Sequence, residues 1–418
     1  MPHPTRPAQR VTYAGGLARA QVVAWRNAIF VVFGLCGLAM ASWVSRVPAV
    51  RDSLHASTLQ MALLIFGIAA GSIIGLVGSS HIIARFGARL TIASCLTIAS
   101  IGFAVAGVGA TVGPNYVLTF IGLAIFGACF GITDVSMNVI GAANERVLGR
   151  AIMPIFHAFF SFGTMVGAGL GALAELVHLP IAVHTGIVAL IIATAAITAV
   201  RFMQSEHIVE DDAEPVPDDD HSKSWRGRLS IWRDPRTLII GLIVLGMAFT
   251  EGSANDWLAL AMVDGHGVNN TTGAIVFGVF VSAMTIGRLA GVRLLDRFGR
   301  VPVLRWSAAL AALGLVIFIF VPNEWVAIVG VVLWGLGSAL GFPVGMSAAA
   351  DDPKTAAARV SAVATIGYFA FLVGPPLIGF LGEHFGLLHA LLVVLVLVAV
   401  AGFASGAARE SHGVHVTG

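Results

Sequence analysis

The sequence predicts an all-α membrane protein with twelve transmembrane helices in two pseudo-symmetric six-helix halves. Three observations carry this prediction. Of the 418 residues, 57% are hydrophobic and 11% are charged, against about 25% charged residues in soluble proteins. Twelve stretches are long and apolar enough to cross a bilayer, which takes about 20 residues. A short basic motif also recurs half a chain apart, as expected of a duplicated half.

The twelve predicted segments follow one another along almost the whole chain. They are residues 27–50, 59–84, 88–109, 115–142, 151–176, 180–202, 236–263, 271–296, 303–321, 324–349, 356–382 and 385–407. The first segment follows arginines and contains Ala39-Met40-Ala41, as a secretory signal does. We expect this segment to be retained, because its removal would leave an odd number of helices and an incomplete first half of the repeat.

The recurring motif divides the chain into two halves. Ala84-Arg85-Phe86-Gly87-Ala88-Arg89 follows segment 2, and Asp296-Arg297-Phe298-Gly299-Arg300 follows segment 8. We therefore predict an N-terminal half at 27–202 and a C-terminal half at 236–407, with tails at 1–26 and 408–418. Residues 203–235 lose the apolar pattern and carry acidic runs, which predicts a solvated linker. Its basic and aromatic end, at 225–233, suits a short helix on the membrane surface.

The placement of basic residues predicts the orientation in the membrane. Arginine and lysine are biased toward cytoplasmic loops. With both termini in the cytoplasm, only Arg46 and Arg51 of the 24 basic residues fall toward the outer side. We therefore expect a multi-pass protein whose two tails and linker are cytoplasmic.

Several function classes are excluded by composition and spacing. The net charge of +2 is too small for a nucleic-acid binder. Cys36, Cys95 and Cys129 lie in apolar stretches without metal-ligand spacing, so we predict core packing and no metal. No glycine-rich phosphate loop follows a strand, which argues against ATP as the driving force. We find no compact catalytic set and expect neither an enzyme nor a cofactor.

Charged residues inside the segments point to a polar cavity. Segments 3, 6, 9 and 12 carry none in their central parts, as lipid-facing helices require. A charge at the bilayer centre costs about 2.5–3.5 kcal/mol on insertion scales, so those in the other segments need a reason. We predict that these other segments surround a cavity.

Glu251, in the middle of segment 7, is the preferred proton or substrate site. Asn255 is four residues further on and shares its helix face. Intramembrane carboxylates commonly belong to proton or substrate pathways. The alternative is an internal ion pair between Glu251 and Arg46. Asp256 is a rival partner for Arg46, and the sequence leaves this choice open.

Segments 4, 5 and 11 supply further candidates. Asp134 and Asn138 share one face of segment 4, and His157 lies at a similar depth in segment 5. A carboxylate and imidazole pair there could relay a proton, or it could only fix packing. Tyr368 in segment 11 could donate a hydrogen bond to a ligand or be satisfied in the interior.

Arg46 is three residues from Trp43, so both reach one side of segment 1. Arginine can hold a carboxylate or phosphate with two hydrogen bonds, which would suit an anionic or hydroxyl-rich solute. The alternative is an interfacial anchor.

Small residues and prolines indicate where helices approach or bend. Gly163, Gly167 and Gly171 form a stripe that predicts close packing of segment 5. Pro343 and Pro375 are predicted to interrupt segments 10 and 11.

These features together resemble the major facilitator superfamily, whose loop signature reads Gly-X-Leu-Ala-Asp-Arg-X-Gly-Arg-Lys. The second copy of the motif matches it at Leu294, Asp296, Arg297, Gly299 and Arg300, and the first copy matches at Arg85 and Gly87. More locally, residues 43–52, 134–138 and 374–376 resemble a branch of bacterial inner-membrane permeases that is distantly similar to the fucose permeases.

The resemblance implies a secondary transporter of a small solute in the bacterial inner membrane. It implies alternating access, proton coupling, a monomer and no cofactor. The two loop copies would help to close the cytoplasmic side, the second facing the start of segment 5 near Arg150 and the first facing the start of segment 11.

Other functions stay open. A drug or metabolite efflux pump of the same fold would have an apolar, aromatic cavity and little dependence on Arg46. Segment 5 lacks the Gly-Pro signature of drug and proton antiporters. A channel, a membrane enzyme and a non-transporting sensor with the linker as its output are the remaining alternatives.

Overall fold

The computed structural model describes residues 16–149, 152–205, 231–351 and 355–409, and within these ranges the chain is helical, without β-strands. The acidic runs of the predicted linker, residues 225–230 of its predicted surface helix and Arg150 lie outside the described residues.

The described part of the chain contains twelve helices that are long and apolar enough to cross a membrane, which confirms the predicted number. We number them α1 to α12 to match the predicted segments. They are α1 (Arg19–Val44), α2 (Thr58–Phe86), α3 (Ala88–Thr111), α4 (Tyr116–Leu148), α5 (Met153–Leu176), α6 (Ile181–Val200), α7 (Pro235–His266), α8 (Asn270–Phe298), α9 (Arg300–Phe320), α10 (Glu324–Ser338 and Gly341–Ala349), α11 (Ala356–Phe385) and α12 (Leu387–Ala390 and Leu392–Ala404).

The boundaries of α2 and α8 explain the repeated motif. Each helix begins with a side-chain cap, in which Ser57 accepts from the backbone of Gln60 and Asn269 accepts from that of Thr272. Each ends at the motif glycine, Gly87 or Gly299, whose φ is 76°. A residue with a Cβ is strained at this angle, so glycine allows the sharp turn into the next helix.

Of three predictions about helix bounds and breaks, two are revised and one is confirmed. The first predicted segment is two helices, because α1 ends at Val44 and a short helix, Val47–Leu54, follows. The predicted interruption of α10 is confirmed, since the helix breaks just before Pro343. The predicted interruption of α11 is wrong, because this helix is continuous through Pro375. Packing against α2 and α7 supports the helix there, and membrane helices tolerate proline in this way.

The two halves repeat the same packing. In the N-terminal half α1 packs on α5, α2 and α3 pack on α4, and α3 packs on α6. The C-terminal half shows the equivalent contacts of α7 with α11, α8 and α9 with α10, and α9 with α12. The main helix pairs between the halves are α2 with α11 and α5 with α8. The charge-poor helices α3, α6, α9 and α12 pack chiefly within their own halves.

Glycines bring α1 and α5 into backbone contact, which confirms the predicted stripe. A Cβ at Gly163 would lie 2.0 Å from the carbonyl oxygen of Gly34, and one at Gly167 would lie 2.5 Å from that of Leu38. At Gly171 it would meet the hydroxyl of Ser45 at 1.8 Å. The stripe therefore makes the N-terminal half a tightly packed unit.

We expect Gly163→Ala to destabilise the protein by about 1–3 kcal/mol, because the added methyl group forces α1 and α5 apart. Gly169→Ala is the matched control, since a Cβ at Gly169 meets nothing within 4 Å. Thermal unfolding of the purified variants would check this. Equal melting temperatures for the two variants would contradict the close approach.

Candidate functional site

A central cavity of about 200 Å³ lies between the two halves. The N-terminal half contributes residues of α1, α2 and α4, and the C-terminal half contributes residues of α7 and α11. The lining residues are Met40, Trp43, Val44, Val47, Ile65, Ile68, Ala69, Ser72, Ile73, Leu76, Phe130, Gly131, Asp134, Asn255, Asp256, Tyr368, Phe371 and Pro375.

Two carboxylates are the charged groups of this cavity wall. Asp134 comes from α4 and Asp256 from α7, so each half supplies one. Neither side chain has an ion pair or a hydrogen bond with another residue in the part of the chain that the structure describes. Unpaired carboxylates inside a membrane bundle are costly, so they are candidates for binding a cation or a proton.

Four of the eight residues predicted for the pathway meet in the cavity: Asp134, Asn255, Asp256 and Tyr368. The other four, Arg46, Asn138, His157 and Glu251, do not line it. Asn138 shares the helix of Asp134, as predicted, but its amide donates to the backbone oxygen of Asp134 at 2.8 Å.

Arg46 is buried at the end of α5 instead of facing the cavity. The residue is 3% exposed. Its Nε lies 2.9 Å from Oε1 of Glu175, and its Nη2 donates to the carbonyl of Leu179 at 2.8 Å. The predicted alternatives, Glu251 and Asp256, are therefore not its partners. The physical reason is that Arg46 lies in the break after α1, which places it within the N-terminal half beside the last turn of α5.

Glu251 forms an ion pair within the C-terminal half. Its Oε1 lies 2.8 Å from Nη2 of Arg288 on α8. His157 of the other half lies within electrostatic range of Arg288, and its ring meets Phe33 edge-on with centroids 5.1 Å apart. The expected pair of His157 with Asp134 is not formed between these described residues.

The motif residues form contacts mostly within their own halves. Arg300 donates to Asp351 at 2.5 Å and to Ser347 at 3.0 Å, and Asp351 also accepts from Arg236 at 3.1 Å. Asp296 is exposed. Its predicted contact near Arg150 falls outside the described residues.

The other motif arginines lie over neighbouring rings. Arg297 lies 5.3 Å from the ring centre of Phe298, and Arg85 lies 5.5 Å from that of Phe86. The start of α5 is held by Glu145 of the same half, which accepts from the backbone of Ile152 at 2.6 Å.

Polar contacts join the halves at the end of the bundle that carries the α1–α2 connection, called here the α1–α2 end. Arg51 pairs with Asp264 of α7, and Asn270 donates to Asp52 at 2.9 Å. The backbone of Leu59 donates to Glu383 of α11 at 3.1 Å. These contacts tie the two halves together at the α1–α2 end.

Sequence reasoning missed two partners, Glu175 and Arg288. Both signals were present, because each is a charged residue inside a predicted segment. A search for oppositely charged residues in other segments of the same half would have identified Glu175 as a partner for Arg46 and Arg288 as a partner for Glu251.

Comparisons with known proteins identify similar chains. A sequence model described as Major Facilitator Superfamily matches residues 28–290 and 253–412. An uncharacterized MFS-type transporter of Yersinia pestis is 30% identical over 393 residues, covering 93% of this chain and 96% of that protein.

Two solved structures share the fold at low sequence identity. The nucleoside transporter NupG has a TM-score of 0.67 at 16% identity, covering 93% of this chain and 98% of its own. The E. coli fucose:proton symporter FucP has a TM-score of 0.58 at 16% identity, covering 94% of this chain and 100% of its own.

We expect Glu175→Gln to destabilise the protein by about 3–5 kcal/mol, because it leaves the buried guanidinium of Arg46 without its counter-charge. The double variant Arg46→Met with Glu175→Leu should recover most of this loss, since it removes both charges. Thermal unfolding of Glu175→Gln would measure the loss, and thermal unfolding of Arg46→Met, Glu175→Leu and the double variant that combines them would measure the coupling. Additive effects would show that the pair does not hold α1 against α5.

Proposed function

The chain belongs to the major facilitator superfamily and is a membrane transporter rather than an enzyme, and we propose that it moves a small solute by proton-coupled alternating access. The observation that carries the proposal is the cavity between the halves, to which Asp134 and Asp256 bring one unpaired carboxylate each. Transporters of this architecture bind solutes at the interface of their repeats. The cavity is the corresponding place here.

Proton coupling is supported by the chemistry of the two carboxylates. A carboxyl group that loses its charge on protonation binds differently to a solute in its two states, so a proton and a solute become linked. The structural neighbour FucP is described as a fucose:proton symporter. That description concerns FucP, and it supports a proton as the coupling ion in the present fold.

Alternating access is supported by polar contacts between described residues of the two halves, which gather at one end of the bundle. The pairs Arg51 with Asp264 and Asn270 with Asp52 lie at the α1–α2 end. At the same end a Cβ at Gly382 would lie 3.2 Å from Cγ2 of Thr58, between α11 and α2. Separation of the halves there would open the cavity to the other side of the membrane.

We further propose that the α1–α2 end faces the outside of a bacterial inner membrane. Both tails, at 1–26 and 408–418, and the linker at 203–235 would then be cytoplasmic, with the six-helix halves at 27–202 and 236–407. The excess of arginine at the opposite end supports this orientation. Each chain holds a complete cavity, so the monomer suffices as the transporting unit.

Efflux is the second candidate, and the cavity wall favours it over uptake of a hydroxyl-rich solute. Most lining residues are apolar or aromatic, including Trp43, Phe130 and Phe371. Arg46 is engaged by Glu175 and does not line the cavity. These are the two features expected of a drug or metabolite exporter.

We expect Asp134→Asn and Asp256→Asn each to abolish solute-driven proton movement. Neither amide can carry a proton between the two faces. Proteoliposomes loaded with a pH dye would be screened with sugars, organic acids, nucleosides and cationic drugs. Glu251→Gln tests the carrier predicted from the sequence, and it should retain proton movement because Glu251 is paired with Arg288 outside the cavity.

Comparison of these variants shows which carboxylates are needed for proton movement. Full proton movement in both aspartate variants, with its loss in Glu251→Gln, would contradict the cavity assignment. Solute exchange without proton movement in the parent protein would contradict coupling itself. Size-exclusion chromatography of each variant controls for folding.

We expect the double variant Thr58→Cys with Gly382→Cys to stop transporting when oxidised and to recover on reduction. A disulfide there would tie α2 to α11 and hold the α1–α2 end closed. Labelled-solute exchange in proteoliposomes, with mass spectrometry of the crosslinked peptide, would measure the effect. The two single variants under the same oxidant are the controls. Undiminished exchange by the crosslinked protein would contradict the movement of the halves.

A further inference from the structure

We propose that the solute is a small amphiphilic amine, bound as an organic cation by the carboxylates of Asp134 and Asp256. The assignment names a substrate class for the cavity and rests on the proposed transport function. It follows from the charge balance of the cavity and from the apolar, aromatic character of its wall.

The charge balance favours a cation. Asp134 and Asp256 line the cavity, and no basic residue does so among the residues that the structure describes. Two arginines inside the bundle already have counter-charges, because Arg46 pairs with Glu175 and Arg288 with Glu251. A bound cation would therefore neutralise the two carboxylates, whereas an anion would be repelled by them.

The indole of Trp43 adds an aromatic surface to the wall. Trp43 lines the same cavity and is 1% exposed, so its ring is held in place by the surrounding helices. Tryptophan is the side chain to which an ammonium group is attracted most strongly through cation–π contact.

The remaining wall selects an apolar or aromatic body. Phe130 comes from α4 of the N-terminal half, and Tyr368 and Phe371 come from α11 of the C-terminal half. Aromatic faces attract an ammonium group through cation–π contact and bury the carbon skeleton of a ligand. A hydroxyl-rich neutral solute would leave most of its hydrogen bonds unmade against such a wall.

The test is equilibrium binding to the full chain in lipid nanodiscs. The probes are 2-phenylethylamine, tyramine and tryptamine, and each is paired with the alcohol and the carboxylate that replace its ammonium group. Asp134→Asn and Asp256→Asn report on the carboxylates. Glu324→Gln is the control, because Glu324 begins α10 and does not line the cavity.

We expect amines to bind and their alcohol and carboxylate partners to bind at least about tenfold more weakly. Each aspartate variant should lose about tenfold or more in amine affinity, and Glu324→Gln should lose none. The assignment is overturned if no amine binds, if the alcohols or carboxylates bind as tightly, or if both aspartate variants keep their amine affinity.

The proton assay distinguishes this failure from failure of the proposed function. Proton movement driven by a neutral or anionic solute, with amines inert, would leave proton-coupled transport standing and would remove only the substrate class. Amine binding without any proton movement would keep the substrate class and remove the coupling.

Discussion

The cost of a charge in the membrane interior determines how this structure is organised. A charged side chain away from water needs a partner or a ligand. Arg46 obtains Glu175 within the N-terminal half, and Arg288 obtains Glu251 within the C-terminal half. These pairs remove the positive charges that could otherwise neutralise the cavity. The negative character of the central site is thus a consequence of pairing that takes place elsewhere in each half.

The two halves are closely packed internally and meet each other mainly through two helix pairs, α2 with α11 and α5 with α8. In the N-terminal half, Gly34 and Gly163 allow backbone contact between α1 and α5. The polar contacts between the halves that we describe, such as that of Arg51 with Asp264, gather at the α1–α2 end. A tightly packed half can move as one rigid body. The interface between the halves can then open at the end where these polar contacts break. This contrast is the mechanical basis of the proposed transport cycle.

The candidate site was only partly predictable from the sequence. Asp134, Asn255, Asp256 and Tyr368 were identified because polar groups in apolar segments are conspicuous, and these four do line one cavity. Glu251 was equally conspicuous, yet it pairs with Arg288, while Asn255 on the same helix face lines the cavity. Sequence spacing defines which residues share a face of one helix, but which of them reaches the cavity depends on depth and on the partners that neighbouring helices offer.

The number of helices, their approximate bounds and the repeat were determined by the sequence itself, because a bilayer imposes one length and one hydropathy on every crossing. The motif glycines Gly87 and Gly299 likewise end α2 and α8 through local backbone geometry. Only the tertiary structure decided the partner of Arg46, the continuity of α11 through Pro375 and the side chains that share the cavity. Those outcomes depend on helix rotation and depth, which are set by packing between segments far apart in the chain.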